Sequence, residues 1–228
     1  MKLFNLLALS AIAGASLLSA ANAAPTTAYM FGFTPSGSQQ LVLNGGAIVL
    51  NATATGWYAN TGTGNGGSNY IVGNCSVSPC GDSGDGEYRD YFVFDLSNVD
   101  VPITSASLSI GNPSNGFGGS PADYTSWDVT TALASLTSGG GGLAAYGDLG
   151  SGVMYASTAV GAGDNGTQVS IVLDSAAITA LNADLGSQFA IGGALSTTVP
   201  EPATWGLMLA GVGAVGFALR RRGKIATA

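Results

Sequence analysis

Several segments between residues 40 and 191 show the β-strand pattern, the clearest of them alternating apolar and polar residues with a period of two. The strongest run is 88–96, YRDYFVFDL. It places Tyr88, Asp90, Phe92, Phe94 and Leu96 on one face and Arg89, Tyr91, Val93 and Asp95 on the other, with aromatic and β-branched types dominating. Residues 103–110, ITSASLSI, alternate more cleanly, with Thr104, Ala106, Leu108 and Ile110 on the apolar face and Ile103, Ser105, Ser107 and Ser109 opposite. Further strands are expected at 40–42, 47–51, 125–129, 152–157, 167–173 and 188–191. Two segments change period. Residues 130–137 carry Leu133 and Leu136 three apart, and 175–185 align Ile178, Leu181 and Leu185 after Asp174, an N-cap residue, and before Gly186. Glycine clusters at 62–67 and 139–142 read as loops, and Asp164-Asn165-Gly166 as a hairpin turn ahead of the strand at Thr167. The pattern predicts a mainly β chain, a single sandwich or jelly roll with one or two short helices.

Each end of the chain departs from this alternation. Lys2 precedes an apolar stretch, 3–18, followed by Ala21-Asn22-Ala23, a small-x-small cleavage site. This predicts a signal peptide over 1–23, an uncleaved anchor being the alternative. At the other end, the 17 residues 203–219 carry no charge. As a helix they would extend about 25 Å at ~1.5 Å per residue, the short end of what spans a bilayer core. Arg220, Arg221, Arg222 and Lys224 follow directly and mark the cytoplasmic side. Between the ends, 24–198 is long enough for one exported domain with its own core.

Charge sharpens that reading. All thirteen acids lie between residues 82 and 201, and Arg89 is the one cation between the two terminal segments. That leaves residues 24–202 with a formal charge of −12, and 24–198 with −11. Such a domain lacks the phosphate-neutralising side chains that nucleic acid requires. Cys75 and Cys80 are the two cysteines, and in an oxidising compartment a local disulfide is expected; a redox or metal pair is the alternative. The chain has no histidine, which removes the usual Ser/Cys nucleophile–base pairs. Two-carboxylate glycoside hydrolysis remains open on composition, but no spacing nominates an acid–nucleophile pair.

The remaining chemistry is that of binding. Asp82, Asp85 and Glu87 sit in a Gly-rich turn and are candidate Ca²⁺ ligands, although their spacing departs from the EF-hand and solvated turn acids are the plainer reading. Arg89 is flanked by Glu87, Asp90 and Asp95, any of which offers it a carboxylate; the alternative is contact with a ligand. Trp57, Tyr58 and Trp127 are candidate sugar-stacking rings, with packing in the core as the competing reading.

Pro200-Glu201-Pro202, the apolar run and the Arg220–Arg222 cluster together resemble the PEP-CTERM sorting signal of Gram-negative bacteria that export polysaccharide. The resemblance covers about 30 residues. It implies recognition and removal of residues 199–228 by an exosortase-type membrane enzyme after insertion in the inner membrane. A second similarity, over residues 89–97 and 103–108 with Trp127-Asp128-Val129-Thr130, is to secreted jelly-roll modules of carbohydrate-binding type. It implies a jelly-roll fold and a binding or structural role.

Taken together, the expectation is an exported, exosortase-sorted surface or extracellular-matrix protein. It would be non-catalytic, associated with exopolysaccharide or the envelope, and without a cofactor other than a candidate Ca²⁺. The alternatives are a secreted carbohydrate-active enzyme using paired carboxylates and a calcium-dependent adhesin-like module.

Overall fold

The computed structural model describes residues 28–33, 38–67, 69–75 and 86–196. These form β1 (Ala28–Phe33), β2 (Gln39–Leu43), β3 (Ile48–Asn51), β4 (Ala54–Ala59), β5 (Gly64–Gly67), β6 (Asn69–Cys75), β7 (Gly86–Asp95), β8 (Ala106–Gly111), β9 (Phe117–Gly119) and β10 (Ala122–Trp127). Then come α1 (Leu133–Thr137), α2 (Gly142–Asp148), β11 (Met154–Val160), β12 (Gln168–Val172), α3 (Ser175–Ala183) and β13 (Gln188–Ser196). The chain is mainly β, in two antiparallel sheets. The smaller has the order β12-β8-β2-β3; the larger runs β11-β10-β13-β7-β6-β1-β9, with β4 paired to β7 and β5 to β4.

One core joins the two sheets. Leu41, Leu43, Leu108, Ile110 and Ile171 from the smaller sheet pack with Met30, Val72, Phe92, Phe94, Tyr124 and Ile191 from the larger. The hub is β7, whose residues 90–95 pair with β13, 88–93 with β4 and 86–88 with β6. Its Phe92 and Phe94 face the shared core. The opposite face is also dry, because Tyr91 and Val93 pack with Tyr58, Leu136, Ala145 and Leu149 beneath α1 and α2.

The strands expected at 40–42, 47–51, 103–110, 125–129, 152–157, 167–173 and 188–191 each have a counterpart, as does the helix after Asp174. Asp174 Oδ1 accepts from the backbone N–H of Ala176 (2.9 Å) and Ala177 (3.0 Å), capping α3. Two expectations are corrected. The glycine cluster at 62–67 is only partly a loop, since Gly64–Gly67 pairs with β4 as an edge strand. Glycine is needed there: a Cβ on Gly66 would overlap the Thr137 carbonyl of α1. Residues 164–166 are not a hairpin turn, because β11 and β12 belong to different sheets. Asn165 instead takes the Phe117 N–H on its side-chain oxygen (2.7 Å) and donates to the Phe117 carbonyl (3.2 Å), fixing an inter-sheet crossover.

No helix among the described residues is long and apolar enough to cross a membrane. The expected signal peptide 1–23, the motif 200–202, the apolar run 203–219 and the basic cluster 220–224 lie outside the described residues.

Candidate functional site

Arg89 leaves β7 on the face opposite Phe92 and reaches the end of α2. Nη1 donates to the carbonyls of Tyr146 (2.9 Å) and Gly147 (3.0 Å), Cζ lies 4.3 Å from the Tyr146 ring centroid, and Nη2 is 3.8 Å from Glu87. A cation on the last carbonyls of a helix satisfies groups that have no partner within it. Gly150 closes on the guanidinium so tightly that a Cβ there would come within 2.7 Å. Arg89 is therefore committed to its own chain. Of the three expected carboxylates Glu87 alone pairs with it; Asp95 accepts from Ser97 N–H (2.9 Å) and Asp90 points to the other side of the sheet.

The same helix end is tied to the strand before α1. Asp148 accepts from the N–H and hydroxyl of both Thr130 and Thr131, at 2.7–2.9 Å. Partial burial raises its pKa, but the four hydrogen bonds outweigh that and leave it below the ordinary carboxylate range.

The candidate stacking rings divide. Trp57 is buried against Tyr88 in an edge-to-face pair, centroids 5.2 Å apart, together with Phe31, Ile71 and Cys75. Tyr58 is wholly buried; its hydroxyl donates toward the carbonyls of Leu136 (2.8 Å) and Ser135 (2.9 Å) and accepts from Gly141 N–H (3.1 Å). Neither ring presents a face to a ligand. Trp127 is half-buried, its indole N–H donated to Thr125 Oγ1 (2.9 Å). Cys75 is buried at the end of β6 and is not a free thiol. Cys80, Asp82 and Asp85 lie outside the described residues.

Asp90 has an environment that the sequence reading missed. It is fully buried between Trp57 of β4 and Gly193 of β13, its cross-strand neighbours. Tyr124 donates a 2.7 Å hydrogen bond to Oδ1, and Oδ2 has no partner among the described residues. Burial pushes its carboxyl up to about 8, the Tyr124 hydrogen bond offsetting only part of the effect. Burial, reinforced by Asp90, also raises the Tyr124 and Tyr70 phenols. The neutral forms thus prevail. The signal was present in the alternation, which put Asp90 on the face of Phe92 and Phe94.

The surface most suited to a large ligand is the outer face of the smaller sheet. Its side chains form cross-strand rows: Val172–Ser107–Val42–Val49 and Ser170–Ser109–Gln40–Asn51. Gln40 Nε2 donates to Asn51 Oδ1 (3.1 Å), and Ser109 donates to Gln168 Oε1 (3.1 Å). Adjacent rows stand about 7 Å apart along the strands and neighbouring strands about 4.8 Å apart. The face carries hydroxyls, amides and small apolar groups and no charge, although the exported region is strongly acidic.

No curated protein and no solved structure matches this chain. Residues 198–222 match the family model of the PEP-CTERM protein-sorting motif. That match includes Pro200, Glu201, Pro202 and the Arg220–Arg222 cluster, and implies export and processing by an exosortase-type enzyme. The chain thus carries a PEP-CTERM protein-sorting motif, with a mainly β region ahead of it.

Proposed function

We propose that this is a non-catalytic surface or matrix protein. Its signal peptide 1–23 is removed on export, residues 199–228 hold it briefly in the inner membrane, and exosortase releases a domain that associates with neutral exopolysaccharide. A Cys75–Cys80 disulfide would secure the loop after β6. The observation that carries the association is the charge-free outer face of the β12-β8-β2-β3 sheet on an otherwise acidic domain. A neutral polymer can lie on such a face without stripping water from ions, and serine hydroxyls and Gln/Asn amides replace the hydrogen bonds it gives up. An acidic polymer would meet the repulsion of a domain of charge −11.

The test is co-sedimentation of the purified chain with insoluble exopolysaccharide from the native host. The Ser109→Glu/Ser170→Glu double variant places two charges on the centre of the face and is expected to lower the bound fraction about tenfold. Equal sedimentation of the variant and the parent chain would overturn the assignment of the face.

A further inference from the structure

A second, smaller site lies where the end of β10, the start of α1, the end of α3 and the start of β13 meet. They enclose a cleft of about 310 Å³ whose wall includes Asp128, Thr131, Tyr155, Asp184, Gln188 and Phe189. Sites for small molecules begin near this size, about 300 Å³. We infer that this cleft binds a single hydroxyl-rich saccharide unit that carries no negative charge.

Tyr155 is the main support. It is only 4 % exposed, its ring stacked on Phe189 with centroids 6.2 Å apart and planes at 22°. Its hydroxyl lines the cleft near Asp128 and Asp184 and makes no hydrogen bond among the described residues. The ring is fixed by its packing, and its hydroxyl meets the water of the cleft, where a ligand hydroxyl can take that water's place. Burial, with the nearby aspartates, pushes the phenol up to about 12, so it keeps its proton and can both donate and accept.

The other polar groups are complementary to hydroxyls. Asp128 gives one carboxylate oxygen to Val153 N–H (2.7 Å) and keeps the second free of protein partners among the described residues. Asp184 follows the last turn of α3, and its side chain has no such partner either. Gln188 begins β13 with its amide exposed. Two acceptors, an amide and a phenol line one cleft, a set that can hold a sugar by its hydroxyls. No cation lines the cleft, so a uronate or a phosphosugar would meet two carboxylates without compensation. A divalent ion is a poorer match, since Ca²⁺ takes six to eight oxygens and no group of three metal-ligating side chains occurs among the described residues.

This rests on the reading that the domain meets exopolysaccharide, and places a second, discrete contact on it. The test is saturation-transfer NMR on the full chain in detergent with glucose, galactose, mannose, glucosamine and glucuronate, each at about 10 mM. At least one uncharged or amino sugar is expected to give a signal that Tyr155→Phe and Asp184→Asn each weaken about tenfold, while glucuronate gives none. Tyr155→Phe should leave Tm unchanged, because the hydroxyl holds nothing in the fold. Silence from every sugar, a signal that survives Tyr155→Phe, or binding of glucuronate as strong as of glucose would each overturn the inference. Silence from the sugars together with retained co-sedimentation on polymer would remove the cleft and leave the sheet-face reading standing.

Discussion

Tyr124 donates a 2.7 Å hydrogen bond to Asp90, and both side chains are wholly buried in the core between the sheets. A carboxyl in that position is stable when neutral. Its pKa of about 8 in the folded chain exceeds the ~3.9 of an unfolded aspartate. Between those values the folded state holds a proton that the unfolded state releases, so stability falls as pH rises. The contribution is complete below about pH 4 and is lost as pH passes through 8. Melting followed by circular dichroism is expected to show Tm declining from pH 5 to pH 8. Asp90→Asn, which keeps the neutral shape, should flatten that decline. A parent chain whose Tm rises over the same interval would contradict a neutral Asp90.

Gly193 makes this arrangement possible. It stands directly opposite Asp90 in the β7–β13 register, and a Cβ there would overlap both Tyr124 Oη and Asp90 Oδ1. Gly193→Ala is expected to destabilise the domain by about 2 kcal/mol or more, in the range of overpacked cores. Gly163 has open space around its would-be Cβ, and Gly163→Ala should be close to neutral. Urea unfolding of the two variants beside the parent separates the outcomes: similar midpoints for both would deny the close approach at Gly193.

Arg89 offers a different test, because its two carbonyl contacts and its ring contact come from one planar group. A lysine ammonium cannot reproduce that geometry. Arg89→Lys should loosen α2 and the segment up to Gly150 while leaving the core sheets intact, with a loss of about 1.5–3 kcal/mol, typical of hydrogen bonds to charged groups. Hydrogen exchange read segment by segment is the appropriate measurement: faster exchange confined to residues 142–150 is expected. Unchanged protection there would mean that Asp148 and its two threonines hold the helix end unaided.

These cases also show which parts of the fold the sequence made readable. Residues 103–110 alternate cleanly because β8 has one dry face and one wet face, and the period survives in the residue types. The central part of β7 is dry on both faces, and nothing in its alternation shows that α1 and α2 cover Tyr91 and Val93. Strand β5 is Gly-Asn-Gly-Gly and has almost no side-chain pattern; it is a strand because a backbone partner and a helix crowd it. The second helix begins at the end of a glycine cluster and carries no side-chain cap, so its start left no mark. The cleft around Tyr155 draws on five elements, β10, α1, β11, α3 and β13, and no local spacing reveals it.

The sorting motif makes a prediction about covalent structure. Intact mass of the protein recovered from the native host's medium is expected to correspond to a species beginning near Ala24 and ending near Pro200–Pro202. Any added group at the new C-terminus would appear as excess mass. The same spectrum tests the disulfide: the species should be 2 Da lighter than its fully reduced form and refuse alkylation until reductant is added. Closing so short a loop is worth about 2 kcal/mol by the chain-entropy relation, so reduction should lower Tm without unfolding the domain. Glu201→Ala should block processing and leave a membrane-bound form that retains residues 203–228. If that variant is released normally, or if the parent chain keeps its tail, the match at 198–222 would be acting as a permanent anchor, and contact with exopolysaccharide would then have to occur at the membrane rather than in the matrix.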